Sequence, residues 1–276
     1  MFNLADDFAA SVVGPYVDAY DAARTPNPCV DCNRTIKFGR ALDRALALGF
    51  DAIATGHHAR VQRDRDGSFR LRRGADADKD QSYVLYMLGQ PELARVLLPI
   101  GDLTKTEVRA RAHELALRTA AKPESMDVCF VARRDRVRFV AERTVPRAGP
   151  VVETNGRVVG HHDGIANFTI GQRRGLGFTV GEPRYVVDLD ASRATVTVGC
   201  RRDLLRDQIT VRAWRFVSEP PGGQPLTVQT RAHGEPLPGR LVEERVHLDR
   251  PAPRVAPGQV VALYDGDTLL GGGLAA

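Results

Sequence analysis

The sequence predicts an α/β domain followed by two small β-rich modules, on three observations. Up to about residue 140, stretches of helical apolar spacing alternate with short apolar runs. From about Val145 the texture changes to short alternating runs broken by Asn-Gly and Asp-Gly, both hairpin signals. No internal repeat or low-complexity tract interrupts that order. With 276 residues, 43% hydrophobic and 26% charged, the chain can bury real cores and exceeds the usual single-domain length. The expected division is 1–140 for the α/β domain, 141–207 for a central β module and 208–276 for a C-terminal β-barrel.

The elements follow in order. "FAASVVGPYVDAYDAA" has the apolar spacing of a helix, which the Thr-Pro-Asn-Pro after it cannot continue. "IKFGRALDRALALGF" reads as a second amphipathic helix closed by Gly49. Ala52 to Thr55 reads as a short buried strand running into Gly56, His57 and His58, a place where open α/β sheets collect ligands. "TKTEVRARAHELAL" is a further helix, with Thr104 as N-cap and Glu107 completing a capping box. "PVVETNGRVVGHHDG" and "RYVVDLDASRATVTVGC" read as hairpins, the second turning at Asp190 to Ser192. "ITVRAWRFV", "LTVQTRAHG", "GRLVEERVHLD" and "QVVALYDGDTLLGGG" supply the strands of the last module, with a Pro/Gly loop at 219–224.

The formal net charge is +5, carried far more by arginine than by lysine, which suits a polyanionic partner. There is no apolar run long enough to span a bilayer and no signal-peptide pattern, so a cytoplasmic location without membrane contact is expected. Four cysteines are too few for a disulfide scaffold, and each must be weighed as metal ligand, redox group or nucleophile. Cys29 and Cys32 stand three apart in "TPNPCVDCNRTIKFG", but a zinc site would need two more ligands at a usable spacing. Cys129 and Cys200 stand alone, so no structural metal is expected. With a helix expected to start at Asn33 and with Arg34 and Lys37 close by, the Cys32 thiol is expected to have a lowered pKa and to be the better nucleophile. Two buried structural thiols are the alternative. In "KPESMDVCFVARRD", Cys129 is either a small hydrophobe in a strand or a second reactive thiol among basic and acidic neighbours. Cys200, at a strand end, reads as core.

Several stretches in order resemble one family: "TPNPCVDCNRTIKFG", "ATGHHAR", "DKDQSYVLYML", "LTKTEVR", "ESMDVCFV", "TIGQRRGLG", "EPRYVVDLD", "PGQVVALYDGD" and the terminal "LGGG". They are similar to the bacterial tRNA-specific 2-thiouridylases, which install sulfur at position 2 of the wobble uridine. The resemblance runs over essentially the whole chain. It implies a Rossmann-like ATP-pyrophosphatase domain, truncated at its N-terminus, ahead of the two β-rich domains.

By the same resemblance Cys32 is the catalytic nucleophile, Cys129 carries the incoming sulfur as a persulfide, and the two form a disulfide during delivery. Gly56 matches an ATP-contacting position and His57 a tRNA-contacting one. Asn27, Pro28 and Cys29 match the segment that meets the target base. Lys79, Asp80 and Gln81 match a tRNA-contacting loop, as do Arg231, Ala232 and Gln259. Implied partners are the tRNA anticodon arm and a persulfide donor or carrier protein, and the implied cofactor is ATP with magnesium. The chemistry is coherent: adenylation turns the O2 of uracil into a leaving group, and a persulfide is a soft, strong nucleophile toward C2. The base must leave its stack, and Arg173 and Arg174 in "GQRRGLG" offer a phosphate grip.

Two departures bear on this. The family begins with a Ser-Gly-Gly-x-Asp-Ser loop that holds the ATP pyrophosphate, and these 276 residues contain none. The expectation is a mis-assigned start or a fragment that binds ATP poorly, does not thiolate tRNA, and exposes apolar sheet surface near its N-terminus. Cys29 also stands where some members carry Asp. Rival readings are a non-catalytic RNA-binding protein and another ATP-pyrophosphatase-type ligase; neither accounts for the pair Cys32 and Cys129.

Overall fold

A computed structural model describes residues 2–122, 128–131, 135–177, 182–232 and 234–276. The first helix runs over 5–21. Its turns widen to π winding over Ala9–Val13, just ahead of Pro15, whose ring has no N–H and crowds the preceding turn. Tyr16, Val17 and Tyr20 form its buried stripe. The second helix covers 28–47, and Gly49 beyond it takes φ +85°.

The buried strand expected at 52–55 is only β1 (Ile53–Ala54), paired in parallel with β4 (Val96–Leu97). Ala54 and Leu97 of this pair are exposed. A parallel sheet is stable when both faces are covered, and here one side is open. Leu97 of β4 is 59% exposed, and Leu48, Phe50 and Leu115, which lie in turns and a loop rather than in the sheet, are 65%, 61% and 62% exposed. The helix Lys105–Glu114 carries the expected Thr104–Glu107 capping box. Glu107 N–H donates to Thr104 Oγ1 at 3.3 Å and Thr104 N–H to Glu107 Oε2 at 2.7 Å. No residue of that helix is buried.

The central module is a four-stranded sheet in the order β6-β5-β8-β7: β5 (Gly149–Glu153), β6 (Val158–His162), β7 (Tyr185–Asp190) and β8 (Thr195–Gly199). Gly156 takes φ +88° in the Asn-Gly turn, and Asp190 Oδ1 accepts from Ser192 N–H in the other. The last module is a six-stranded barrel: β9 (Leu205–Phe216), β10 (Leu226–Gln229), β11 (Leu237–Val242), β12 (Arg245–Pro253), β13 (Val260–Asp265) and β14 (Thr268–Ala275), closed by the β13–β14 pair. The Gly271–Gly273 run lets β14 sit between neighbours. A Cβ on Gly272 would lie 2.7 Å from the Val261 carbonyl oxygen, closer than real contacts allow.

One pairing crosses the expected division. The hairpin of β2 (Ala59–Arg63) and β3 (Phe69–Arg73) joins the edge of β14, Leu71 opposite Leu269. The largest core accordingly mixes Val30, Phe38, Leu71 and Leu85 with Val260, Tyr264 and Leu269. Burying such side chains stabilises by roughly 1.5–3 kcal/mol each, so the first region's sheet edge is held by the barrel. Among the described residues no helix is long and apolar enough to cross a membrane.

Candidate active site

The second helix begins earlier than the sequence suggests. Asn27 is its N-cap and accepts from Cys29 N–H at 3.2 Å through Oδ1, and Pro28 occupies the first position, where no N–H is needed. Cys29 therefore sits in the first turn and Cys32 a full turn inside. From Cys32 to Ala41 the winding widens to π. Thr35 Oγ1 donates back to the Asp31 carbonyl at 2.7 Å, and a Cβ on Gly39 would meet the Arg34 carbonyl oxygen at 2.9 Å. In a helix bonded five residues apart, Lys37 follows Cys32 by one turn and shares its face.

The lowered thiol pKa expected at Cys32 is not found. Loss of hydration raises both the Cys29 and Cys32 thiols, and the Lys37 charge opposes this without overcoming it. Moving the helix start to Pro28 also removes Cys32 from the end of the dipole, which acts over one turn. Cys129 lies close enough to both thiols that its charge raises each. All four cysteines are free thiols, so the Cys32–Cys129 bond is not formed in this structure. Cys129 and Cys29 are exposed, and Cys32 is half-buried. Cys129 is placed by its neighbour Phe130, whose ring packs edge-on against Phe8 and Tyr16 with centroids 5.5 and 5.3 Å away. Residues 128–131 form a turn rather than the strand considered for "DVCFV", with Val131 N–H donating to the Val128 carbonyl. The neighbours at 124–127, 133 and 134 lie outside the described residues.

Lys37 is held by a buried polar set. His57 is buried; its Nδ1 lies 2.8 Å from Thr55 Oγ1, and its Nε2 lies 3.1 Å from Asn33 Oδ1 and 3.3 Å from Lys37 Nζ. Asn33 Nδ2 donates to the Val84 carbonyl at 3.1 Å. Burial and the adjacent ammonium hold the His57 pKa down at about 3, so the ring is neutral. His57 is thus a support for the cation facing the thiols. Lys37→Gln is expected to slow Cys32 alkylation about three- to fourfold at neutral pH. Losing a neighbouring cation costs on the order of one pKa unit of thiolate, and the greater nucleophilicity of a more basic thiolate offsets about half of that on a logarithmic scale. Iodoacetamide rates followed by peptide mapping would show it; an unchanged Cys32 rate would remove Lys37 from the thiol environment.

The residues matched to tRNA contacts fall into two groups. Asp80 is buried and accepts from Arg73 Nη1 at 2.9 Å, Gly74 N–H and Ser82 N–H at 3.0 Å, and Ser82 Oγ at 2.9 Å. Its oxygens are occupied by the protein itself. Gln81 Oε1 accepts from His58 N–H at 3.1 Å and fixes the histidine segment. Lys79, half-buried, sits beside them. Arg73 also donates to Gln229 Oε1 at 2.5 Å and lies 3.7 Å over the Tyr264 ring. Gln229 Nε2 in turn donates to the carbonyls of Arg231 and Ala232 at 3.1 and 3.3 Å. Arg73 therefore joins the 79–81 and 231–232 loops, with the Arg231 side chain exposed.

Thr25 is the second junction. Its N–H donates to Pro257 O at 2.7 Å, its carbonyl accepts from Gln259 Nε2 at 2.9 Å, and its Oγ1 lies 3.4 Å from Thr169 Oγ1. Gly258, at φ +91°, allows the approach, since a Cβ there would lie 3.0 Å from the Thr25 carbonyl oxygen. Gln259 thus steadies the entry to the thiol helix. The 169–177 loop at this junction carries exposed Arg173 and Arg174 between Gly171 (φ +84°) and Gly175 (φ +69°). Sequence reasoning missed Arg73, Asn33, Thr25 and Gln229. "RLRRG" reads as any solvated basic strand, and nothing local marks which arginine is drawn inward.

Gly56 follows β1 at its carboxyl edge and is exposed, its Cβ direction meeting only Ile100 Cδ1 at 3.8 Å. Among the described residues no group of three or more His, Cys, Asp or Glu side chains is placed to hold a metal ion.

Three family models match in succession: a tRNA methyl transferase HUP domain over 1–133, a tRNA methyl transferase PRC-barrel domain over 137–200, and an aminomethyltransferase β-barrel domain over 206–275. The tRNA-specific 2-thiouridylase of Chloroflexus aggregans is 47% identical over 284 residues, covering 99% of this chain and 79% of the relative. The chain belongs to the tRNA-specific 2-thiouridylase family. The Frankia casuarinae enzyme is 48% identical, covering 99% of this chain and 78% of its own, and that of Thermobifida fusca is 46% identical over 98% and 75%. The HUP, PRC-barrel and β-barrel succession agrees with the α/β unit and two β modules read from the sequence.

Proposed function

We propose that the chain carries the thiol machinery of a tRNA 2-thiouridylase, which replaces O2 of the wobble uridine by sulfur taken from a persulfide on Cys129. One observation carries this reading: Cys129, far away in sequence, lies near enough to both Cys29 and Cys32 for its charge to act on them, and the Lys37 charge acts on the same two thiols.

ATP, when bound, supplies the adenylyl group that makes the uracil oxygen a leaving group. The chain's own residues do the rest. The outer sulfur of the Cys129 persulfide bonds to C2 of the activated uridine as the oxygen departs with AMP. The Cys32 thiolate then attacks Cys129 Sγ. A Cys32–Cys129 disulfide forms, the sulfur–sulfur bond to the base breaks, and the electron pair stays on the new C2 sulfur. Lys37 stabilises the attacking thiolate, and His57 and Asn33 keep it there. Asn27 and Tyr83, hydrogen-bonded to each other, border the space next to Cys29 where a flipped base would enter. Exposed Arg173, Arg174 and Arg231 take phosphates, positioned by the Thr25 and Arg73 junctions.

The test uses the thiols directly. Treated with a small-molecule sulfane-sulfur donor, Cys32→Ser should hold one extra sulfur on Cys129, and Cys129→Ser should hold none. The unsubstituted chain should release hydrosulfide and form a Cys32–Cys129 disulfide, all readable by mass spectrometry of intact protein and peptides. A Cys129 that takes up no sulfur in Cys32→Ser sinks the reading.

A further inference from the structure

We infer that Cys29 is a third member of the relay: its thiolate attacks Cys32 Sγ of the Cys32–Cys129 disulfide, leaving a Cys29–Cys32 disulfide and a free Cys129. The inference rests on the thiouridylase reading for the origin of the first disulfide. The exchange balances on its own. One sulfur–sulfur bond forms and one breaks, no electrons enter or leave, and the pair displaced from Cys32 Sγ resides on Cys129.

The geometry selects this pairing. Cys29 and Cys32 stand three apart in one helix, so they lie on the same face with Cβ atoms about 5–6 Å apart. A disulfide needs roughly 3.5–4.5 Å between them, a gap that tightening of one turn toward i→i+3 winding closes. This is the turn best able to tighten. It is the first of its helix, Pro28 has no N–H to lose, and among the described hydrogen bonds the Cys29 N–H is held by the Asn27 side chain at 3.2 Å. Pro28 and Val30 are buried and keep the segment seated while Cys29 faces outward. The leaving thiolate suits the step too: Cys129 is exposed and hydrated, whereas Cys32 is half-buried. Cys129 is thereby freed for another sulfur while the oxidised pair waits at an exposed position for a reductant.

The experiment is disulfide mapping of the full chain on a Cys200→Ser background in a glutathione redox buffer, quenched in acid and alkylated. Two one-disulfide forms are expected, Cys32–Cys129 and Cys29–Cys32. Cys29→Ser should retain only the first and Cys129→Ser only the second. If Cys29 is alkylated in every oxidised form and Cys129→Ser stays a dithiol, the inference is overturned while the relay between 32 and 129 stands. A Cys29–Cys129 bond in place of Cys29–Cys32 overturns the pairing. If Cys29→Ser fails to form Cys32–Cys129, the underlying reading falls, and this inference with it.

Discussion

Between pH 6.5 and about 3, stability is expected to fall by up to roughly 1.4 kcal/mol for each pH unit on account of His57 alone. The sign follows from where the proton goes. Unfolded, the ring binds a proton near 6.5; folded, it refuses one until about 3, because the charge would be buried against Lys37. Acid therefore favours the unfolded chain throughout that window, and above 6.5 the effect vanishes. At pH 5 the loss amounts to about 2 kcal/mol. His58, whose pKa burial also lowers, adds to the slope. The salt-bridged Glu153 and the capping Glu107 are held low, and their contributions are lost at more acid pH. Urea unfolding at pH 7 and pH 5 should show the drop, and His57→Gln should flatten it. Equal slopes in the two proteins would mean that the ring is not held neutral.

Removing the Asp80 carboxylate should be the most damaging single change away from the thiols. Asp80→Ala leaves Arg73 without its buried partner and strips the acceptor from two backbone N–H groups and a serine hydroxyl. Breaking a buried pair on one side costs about 3–5 kcal/mol, which for a chain of this size is a fall of roughly 6–10 °C in the melting transition. The functional cost follows from the same atoms. Arg73 ties the 79–81 loop to the 231–232 loop through Gln229, so binding of an anticodon-arm RNA should weaken even at a temperature where the variant is folded. Arg73→Met separates the effects by sparing the Asp80 backbone bonds. It should show the weaker RNA binding with a smaller loss of stability. Unchanged melting of Asp80→Ala would show that its oxygens are not the acceptors described.

Local signals suffice for some of the elements. The Thr104–Glu107 box, the Asn-Gly hairpin and the glycine-bracketed arginine loop are settled by residues within a few positions of one another, and each appears where it is read, whereas Asp163-Gly164 leads from β6 into the short 3-10 turn Ile165–Asn167 and makes no hairpin. The start of the thiol helix was missed by several residues, because Pro28 reads as a breaker when it is in fact the first helical residue. That shift put Cys29, not Cys32, in the first turn, while the direction of the Cys32 pKa is reversed chiefly by its loss of hydration. That Asp80 is buried and fully bonded within the protein is not legible in the sequence, because a buried carboxylate and an exposed one are the same letter.

By itself the sequence determined the succession of an α/β unit and two β modules, the family, and which thiols are candidates for chemistry. These follow from periodicity, turn chemistry and motif spacing, which act over short stretches of chain. Only the tertiary structure decided that Cys129 stands beside Cys29 and Cys32, that a neutral His57 holds Lys37 toward them, and that the 59–73 hairpin belongs to the barrel's sheet. Those outcomes depend on desolvation and on contacts between distant segments, quantities that a residue acquires only when the rest of the molecule has closed around it.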